Sequence, residues 1–195
     1  MKPNHSQLRG RYYRTILVGV GLVYTIMQLI MGLFKPNWPF GIGLPSEMAL
    51  FTSGDNLFSF EYPKKWVASY YPQGNHGDFE DIADASIPGF GYIRIYITRK
   101  IDQVNSLEEA FTWGELRVSQ ESLFQTIKIT NTSLDILHEY SYQIKSYLGT
   151  SSILCKARYS LFSSGTYGIT GCTEMKFWNE VLPYFEKSLN SFEAK

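Results

Sequence analysis

The chain has 195 residues, enough for one folded domain and an attachment. Hydrophobic residues make up 44% and aromatic residues 16%, a composition that excludes a disordered chain. The net charge is zero, but four of the 18 basic residues precede residue 16, where no acid occurs. From Lys35 onward, 14 basic residues face 18 acidic ones, so no basic surface is expected and nucleic-acid binding is excluded.

Residues 16–34 form an apolar run of 19 residues without a charge. A helix of that length spans about 28 Å, close to the roughly 30 Å of a bilayer's hydrocarbon core. Tyr12 and Tyr13 precede the run and Trp38 and Phe40 follow it, as suits the headgroup layers. The run is too long for a cleaved signal peptide and lacks a small-residue cleavage site. It therefore predicts one uncleaved transmembrane helix.

The charges flanking this helix predict its orientation. Four basic residues lie before it, whereas only Lys35 follows it closely. Because the flank of a membrane helix that is richer in Lys and Arg usually remains in the cytoplasm, residues 1–15 are expected to be a cytoplasmic tail. Prolines and glycines interrupt residues 35–56, which we interpret as a connector. Residues 57–193 are then an exported domain, on the extracytoplasmic or lumenal side of the membrane.

The exported part contains strand-like alternation of side chains. Residues 57–62 place aromatic side chains on alternate positions, and residues 92–99 alternate isoleucines with polar or tyrosine side chains. Such a period of two is typical of strands with one buried face. Further strands are predicted near residues 126–131, 139–147, 152–162 and 166–174.

Two helices are predicted in the same region. Ser106 to Glu109 forms a capping box, and the helix that follows has an apolar face that includes Phe111 and Gly114. A second apolar stripe runs from Trp178 to the C-terminal end. Pro183 lies inside that stripe, so the helix either starts near residue 179 or kinks at the proline. The order of elements predicts an α+β domain with an antiparallel sheet flanked by helices.

The run at residues 57–66, LFSFEYPKKW, resembles the opening hairpin of PsbP-like domains. The mid-chain Ser-Leu-Glu-Glu helix, the late strands and a terminal helix containing Phe185 and Leu189 follow in the order of that family. The resemblance covers residues 50–193 and does not include the membrane helix. It implies a binding role, because PsbP is an extrinsic subunit of photosystem II and the family has no shared catalytic residues.

No catalytic, cofactor-binding or metal site is predicted. Sequence motifs of metalloproteases, serine hydrolases and phosphate-binding loops are absent. His138 is expected to be a surface or edge histidine. An acidic stretch at residues 76–84 offers oxygen ligands for a cation, but its spacing matches no EF-hand, and a solvated acidic loop is the alternative. Its candidate ligands are His76, Asp78, Glu80, Asp81 and Asp84.

Several tyrosines fall on outward or loop positions. Tyrosine is favoured in protein interfaces because its ring gives a large contact area at low entropic cost. The alternative is that helices cover both faces of the sheet and bury these rings. The tyrosines concerned are Tyr70, Tyr71, Tyr92, Tyr96 and Tyr147.

Cys155 and Cys172 lie on the last two predicted strands. A two-residue turn at Ser163–Ser164 would place them opposite each other, and export would permit a disulfide. A three-residue loop that includes Gly165 would separate them onto opposite faces, while pairing the apolar rows better. The sequence leaves both registers open.

The expected function is that of a non-enzymatic, membrane-anchored accessory subunit. Its partners would be the lipid bilayer and a larger membrane complex, for example a photosynthetic or respiratory one. The alternative is a membrane-tethered sensor or small-molecule-binding domain, with a cleft between sheet and helix lined by tyrosines and by Ile93, Ile95 and Ile97.

Overall fold

The computed structural model describes residues 47–71, 80–87, 90–100, 104–146 and 149–195. The predicted cytoplasmic tail, the predicted transmembrane helix and residues 35–46 of the connector lie outside these ranges. Within them, no helix combines the length and the apolar character needed to cross a membrane.

The described residues form ten strands, two α-helices and a short 3-10 helix. The 3-10 helix, Met175–Phe177, directly precedes the second α-helix. The elements are β1 (Met48–Thr52), β2 (Phe58–Pro63), β3 (Val67–Tyr70), β4 (Glu80–Ile87), β5 (Phe90–Lys100), α1 (Leu107–Val118), β6 (Gln125–Asn131), β7 (Asp135–Ser146), β8 (Gly149–Phe162), β9 (Gly165–Glu174), α2 (Trp178–Ser191) and β10 (Glu193–Ala194).

Seven strands form one antiparallel sheet in the order β3-β4-β5-β9-β8-β7-β6. A second antiparallel sheet has the order β1-β2-β10. The large sheet therefore ends at β3 on one side and at β6 on the other. Antiparallel sheets with two helices confirm the predicted α+β class.

The two helices cover opposite faces of the large sheet. Gly114 of α1 lies so close to Tyr159 of β8 that an added Cβ would be 2.0 Å from the tyrosine ring. On the other face, Phe185 of α2 approaches Gly171 of β9, where an added Cβ would be 2.4 Å from its ring. Because both faces are covered, successive side chains of β5, from Ile95 through Ile97, are all buried.

Both helices begin near their predicted positions. The Glu109 N–H donates to Ser106 Oγ at 3.1 Å, and the Asn105 N–H donates to Glu109 Oε2 at 2.9 Å. The first bond confirms Ser106 as the predicted N-cap of α1, and the reciprocal bond of Glu109 goes to the residue before the cap. α2 begins at Trp178 and includes Pro183 as its sixth residue.

Two strands lie where the sequence predicted a connector or a loop. β1 lies within residues 35–56, where a connector was predicted, and pairs with β2. β4 begins at Glu80, so residues 80–84 of the predicted acidic loop are a strand instead. A register shift around Ile82 breaks the alternation of β4, which explains why its sequence did not read as a strand.

The β8–β9 hairpin has the two-residue turn at Ser163–Ser164, because Phe162 pairs with Gly165. The three-residue alternative is wrong: Tyr159 faces Gly168, which leaves room for its ring, rather than Ile169. This register places Cys155 opposite Cys172, and the two buried cysteines form a disulfide with a Cα–Cα distance of 4.2 Å.

Candidate protein interaction surface

The tyrosines predicted as a possible interface do not share one exposed surface. Tyr96 is buried under α1, with its hydroxyl 3.3 Å from that of Tyr140 and the Arg117 guanidinium 5.2 Å from its ring centre. For Tyr96 the alternative of burial beneath a helix is therefore confirmed. Tyr147 and the side chain of Tyr92 lie outside the described residues.

Tyr70 and Tyr71 are half-buried near the β3 edge. The Tyr70 hydroxyl donates to Asp55 Oδ2 at 2.7 Å, and Asp55 also accepts a hydrogen bond from Ser53 at 2.6 Å. Partial burial and the Asp55 carboxylate together raise the pKa of Tyr70 to about 12. Tyr70 thus acts as a hydrogen-bond donor that ties β3 to the loop after β1.

His138 is completely buried, so the prediction of a surface or edge histidine is wrong. The imidazole lies under α1, where the Phe111 ring meets it edge-on at 5.1 Å between centroids. Its Nε2 is 3.1 Å from Thr126 Oγ1 of the neighbouring strand β6. Burial lowers the pKa of His138 to about 4, so the ring is neutral at pH 7. A neutral, enclosed imidazole joins α1, β7 and β6.

The acidic stretch provides no assembled cation site in the described part of the chain. Asp84 lies on β4, where the Tyr71 hydroxyl is 3.4 Å from its carboxylate. His76 and Asp78 lie outside the described residues, as do the side chains of Glu80 and Asp81. Among the residues described, no three His, Cys, Asp or Glu side chains come close enough to hold a metal ion.

The predicted small-molecule cleft between sheet and helix is filled by side chains. Ile93, Ile95 and Ile97 are at most 1% exposed. Ile95 pairs with Gly171, and the Phe185 ring of α2 packs against that glycine. A cavity of about 270 Å³ lies at the β8–β9 turn, and one of about 170 Å³ lies beside β2 and β10. Neither is lined by the isoleucines.

Exposed apolar side chains are instead concentrated around β6. Nine large hydrophobic residues are exposed in the described part of the chain, and four of them fall on β6 or the loops that flank it. We call these four side chains the β6 surface. They are Leu123, Ile127, Ile129 and Leu134, with exposures of 71%, 55%, 45% and 74%.

The position of β6 in the sheet explains this exposure. β6 is the last strand of the large sheet, and α1 packs over β7 and β8 rather than over β6. A β-bulge at Ile127 shifts the register, so that Thr126 pairs with Tyr140 and Lys128 with Glu139. The shift leaves Ile127 without a partner on β7, and bulges of this kind are common at sheet edges.

Sequence reasoning did not identify this surface. The isoleucines at 127 and 129 alternate with polar residues, which correctly predicted a strand. In the sequence this alternation suggests a single apolar face, which is usually buried, whereas in the structure the bulge at Ile127 interrupts it. Only the strand order shows that β6 is an edge that α1 leaves uncovered.

Comparison with known proteins gives the fold of the domain. No protein-family model and no curated protein matches the sequence. The solution structure of cyanobacterial PsbP (CyanoP) from Synechocystis sp. PCC 6803 matches with a TM-score of 0.53 at 12% identity, over 81% of this chain and 98% of that chain.

Two further solved structures match with lower TM-scores. One is PA94 from Pseudomonas aeruginosa, a protein of unknown function described as a putative regulator (TM-score 0.45, 11% identity, 77% of this chain and 99% of that chain). The other is LpqN from Mycobacterium tuberculosis, involved in cell envelope biogenesis (TM-score 0.43, 6% identity, 75% of this chain and 89% of that chain). At 12% identity, the likeness to CyanoP shows the fold alone: the domain of this chain has a PsbP-like fold.

Proposed function

We propose that this chain is a non-enzymatic, membrane-anchored accessory protein whose exported PsbP-like domain docks on a larger membrane complex. The observation that carries the proposal is the β6 surface. Exposed apolar side chains that gather on a surface often mark a binding site. Four of the nine large hydrophobic residues that are exposed in the described part of the chain fall within residues 123–134.

Two further features support the anchored and exported parts of the proposal. The apolar run at residues 16–34, with its basic flank, supports a single membrane span with the domain outside the cytoplasm. The Cys155–Cys172 disulfide also favours export, because disulfides persist in oxidising compartments and are rare in the cytosol.

The buried position of His138 makes it unsuitable as a general base. His138 is the histidine that the structure describes, and its ring is enclosed by aromatic side chains with Thr126 as its polar neighbour. A general base must reach a substrate proton, and this imidazole is sealed from solvent.

Co-purification tests the proposal. The full chain is purified from its own membranes in mild detergent, and bound proteins are quantified by mass spectrometry. We expect a stoichiometric membrane-protein partner, and at least tenfold less of it with an Ile127→Ser, Ile129→Ser double variant. The matched control is Leu50→Ser, Val67→Ser, which removes two exposed apolar side chains elsewhere. Recovery of the wild type as a monomer alone contradicts the proposal.

A further inference from the structure

The imidazole of His138 is held in an enclosure that suits only its neutral form. The rings of Phe111, Phe124 and Tyr140 have centroids 5.1, 6.2 and 4.8 Å from its own, and the side chain is completely buried. Its Nε2 lies 3.1 Å from Thr126 Oγ1, and its Nδ1 is a buried atom without a hydrogen-bond partner. An imidazolium donates from both nitrogens, so protonation would leave a buried charge with a single polar neighbour.

The titratable groups of the sheet offer this charge no partner. Tyr140 is uncharged at neutral pH, because burial raises its pKa well above the usual value of 10. Glu139 follows His138 in sequence, but its carboxylate pairs with Lys156, which also binds α2 on the opposite face of the sheet. Lys128 is the cross-strand partner of Glu139 and therefore shares that opposite face.

The acids on α1 and in the loop after it do not compensate for the enclosure either. Glu108 and Glu115 lie about one helical turn before and after Phe111, and the exposed Glu121 lies in the loop. Burial is the cause of the lowered pKa of His138, with no contribution from these carboxylates. A proton on the ring is therefore stabilised only when water reaches it.

The loop between α1 and β6 is the weakest wall of the enclosure. Its residues 119–123 are all exposed, whereas Phe124 packs inward against His138. Leu123 has a φ of 53°, a left-handed conformation that is unfavourable for leucine. The helix α1, by contrast, is capped at its start and packs closely on β8. Sparse burial and backbone strain make the loop the part of the enclosure that opens at the lowest cost in free energy.

We propose that the loop of residues 119–124 is an acid-sensitive latch, which moves away from the sheet when His138 binds a proton from solvent. In the open state Phe124 leaves the imidazole, and water accepts hydrogen bonds from both ring nitrogens. The movement displaces Leu123, one of the four side chains of the β6 surface, so acid changes the shape of that surface. This inference goes beyond the proposed function and does not depend on it.

Low pH favours the open latch because the open state binds the proton more tightly. The hydrated imidazole of the open state has a pKa near the usual 6.5, whereas burial lowers the pKa of the closed state to about 4. Opening is therefore little affected above about pH 6.5 and becomes progressively easier towards pH 4. Between pH 7 and pH 5 the equilibrium constant for opening rises about twentyfold.

Amide hydrogen exchange of the full chain in mild detergent, resolved by NMR, measures this opening. The reporter is the Gln143 amide of β7, which donates to the Ser122 carbonyl of the loop at 2.8 Å and is released when the latch opens. The reference is the Ile97 amide of β5, which lies between two paired strands. After correction for the intrinsic pH dependence of exchange, Gln143 should exchange about twentyfold faster at pH 5 than at pH 7.

Urea separates opening of the latch from unfolding of the whole domain. A short loop exposes little surface, so about 1 M urea should change the exchange of Gln143 less than about twofold. Global unfolding exposes the core, so the same urea should accelerate the exchange of Ile97 at least about fivefold. If urea accelerates both amides equally, the loop opens only when the domain unfolds, and the proposal is wrong.

Two variants test what drives the opening. His138→Phe cannot bind a proton and should abolish the pH dependence of Gln143 exchange. Leu123→Asn retains the histidine and relieves the backbone strain, because asparagine tolerates the left-handed conformation, and should slow Gln143 exchange about threefold at pH 5. A pH dependence that persists in His138→Phe, or faster exchange in Leu123→Asn, would overturn the proposal. If His138→Phe does not fold, the urea series and Leu123→Asn still decide it.

Discussion

Lowering the pH should destabilise the domain through His138. The folded state holds this imidazole in a dry aromatic enclosure, and burial lowers its pKa to about 4 from a usual value of 6.5. In the unfolded chain the ring regains water and binds a proton near its usual pKa. The unfolded state therefore binds more protons between these two values, and stability falls as the pH decreases.

The size of the effect follows from the difference between the two pKa values. Each pKa unit is worth about 1.4 kcal/mol, so a difference of about 2.5 units corresponds to on the order of 3 kcal/mol. This contribution is fully present above about pH 6.5 and is lost by about pH 4. A loss of that size is a large fraction of the roughly 5–15 kcal/mol by which domains are usually stable.

Urea denaturation of the full chain at pH 7, 6, 5 and 4 measures the effect. The matched variant is His138→Phe, which retains an aromatic ring beside Phe111 but cannot be protonated. All other titrating groups are common to both proteins, so their contributions cancel in the difference. We expect the wild type to lose about 3 kcal/mol more than the variant between pH 7 and pH 4. Parallel stability curves for the two proteins would refute the reasoning.

Three other outcomes are expected. Replacing Cys155 and Cys172 by alanine should lower the free energy of unfolding by about 3 kcal/mol, since the disulfide joins residues 17 positions apart. Free thiols in the purified wild type would contradict the presence of this disulfide. Gly114→Ala should lower stability by about 1–3 kcal/mol, because the new methyl group would overlap the Tyr159 ring, as urea titration can check. A cysteine introduced at the exposed Gln120 should react with a membrane-impermeant maleimide on intact cells. If labelling occurs only after lysis, and access through any outer membrane has been controlled, the domain lies in the cytoplasm.

The sequence predicted the elements whose local patterns are regular. Alternation along β5 and the four late strands gave strand positions close to those observed. The capping box at Ser106 gave the start of α1, because the side-chain hydrogen bonds that stop helix fraying are local in sequence. These signals depend on nearest neighbours and need no tertiary information.

Strands with a broken or short pattern were not predictable. The register shift at Ile82 disrupts the alternation of β4, and its acidic residues suggested a solvated loop. β3 has four residues and β10 has two, too few for a period to be visible. Tertiary pairing, rather than local propensity, makes these segments strands.

The exposed surface at β6 could not be predicted, because exposure depends on which elements distant in sequence pack over each strand. Whether an apolar side chain on a strand is buried is decided by what lies over it, and α1 covers His138 of β7 but leaves Ile129 of β6 exposed. His138 was therefore placed at the surface and the β6 surface was missed. The register of the β8–β9 hairpin was likewise decided by Gly168, which accommodates the Tyr159 ring.

Photo-crosslinking in living cells tests the central claim, that the β6 surface docks on a membrane protein. A benzophenone amino acid is placed at Ile129 and, in a separate control variant, at Leu50, which is also exposed but lies on β1. Illumination should give one adduct of defined mass with a membrane protein from position 129 and none from position 50. No adduct at 129, or equal adducts at both positions, would contradict the account.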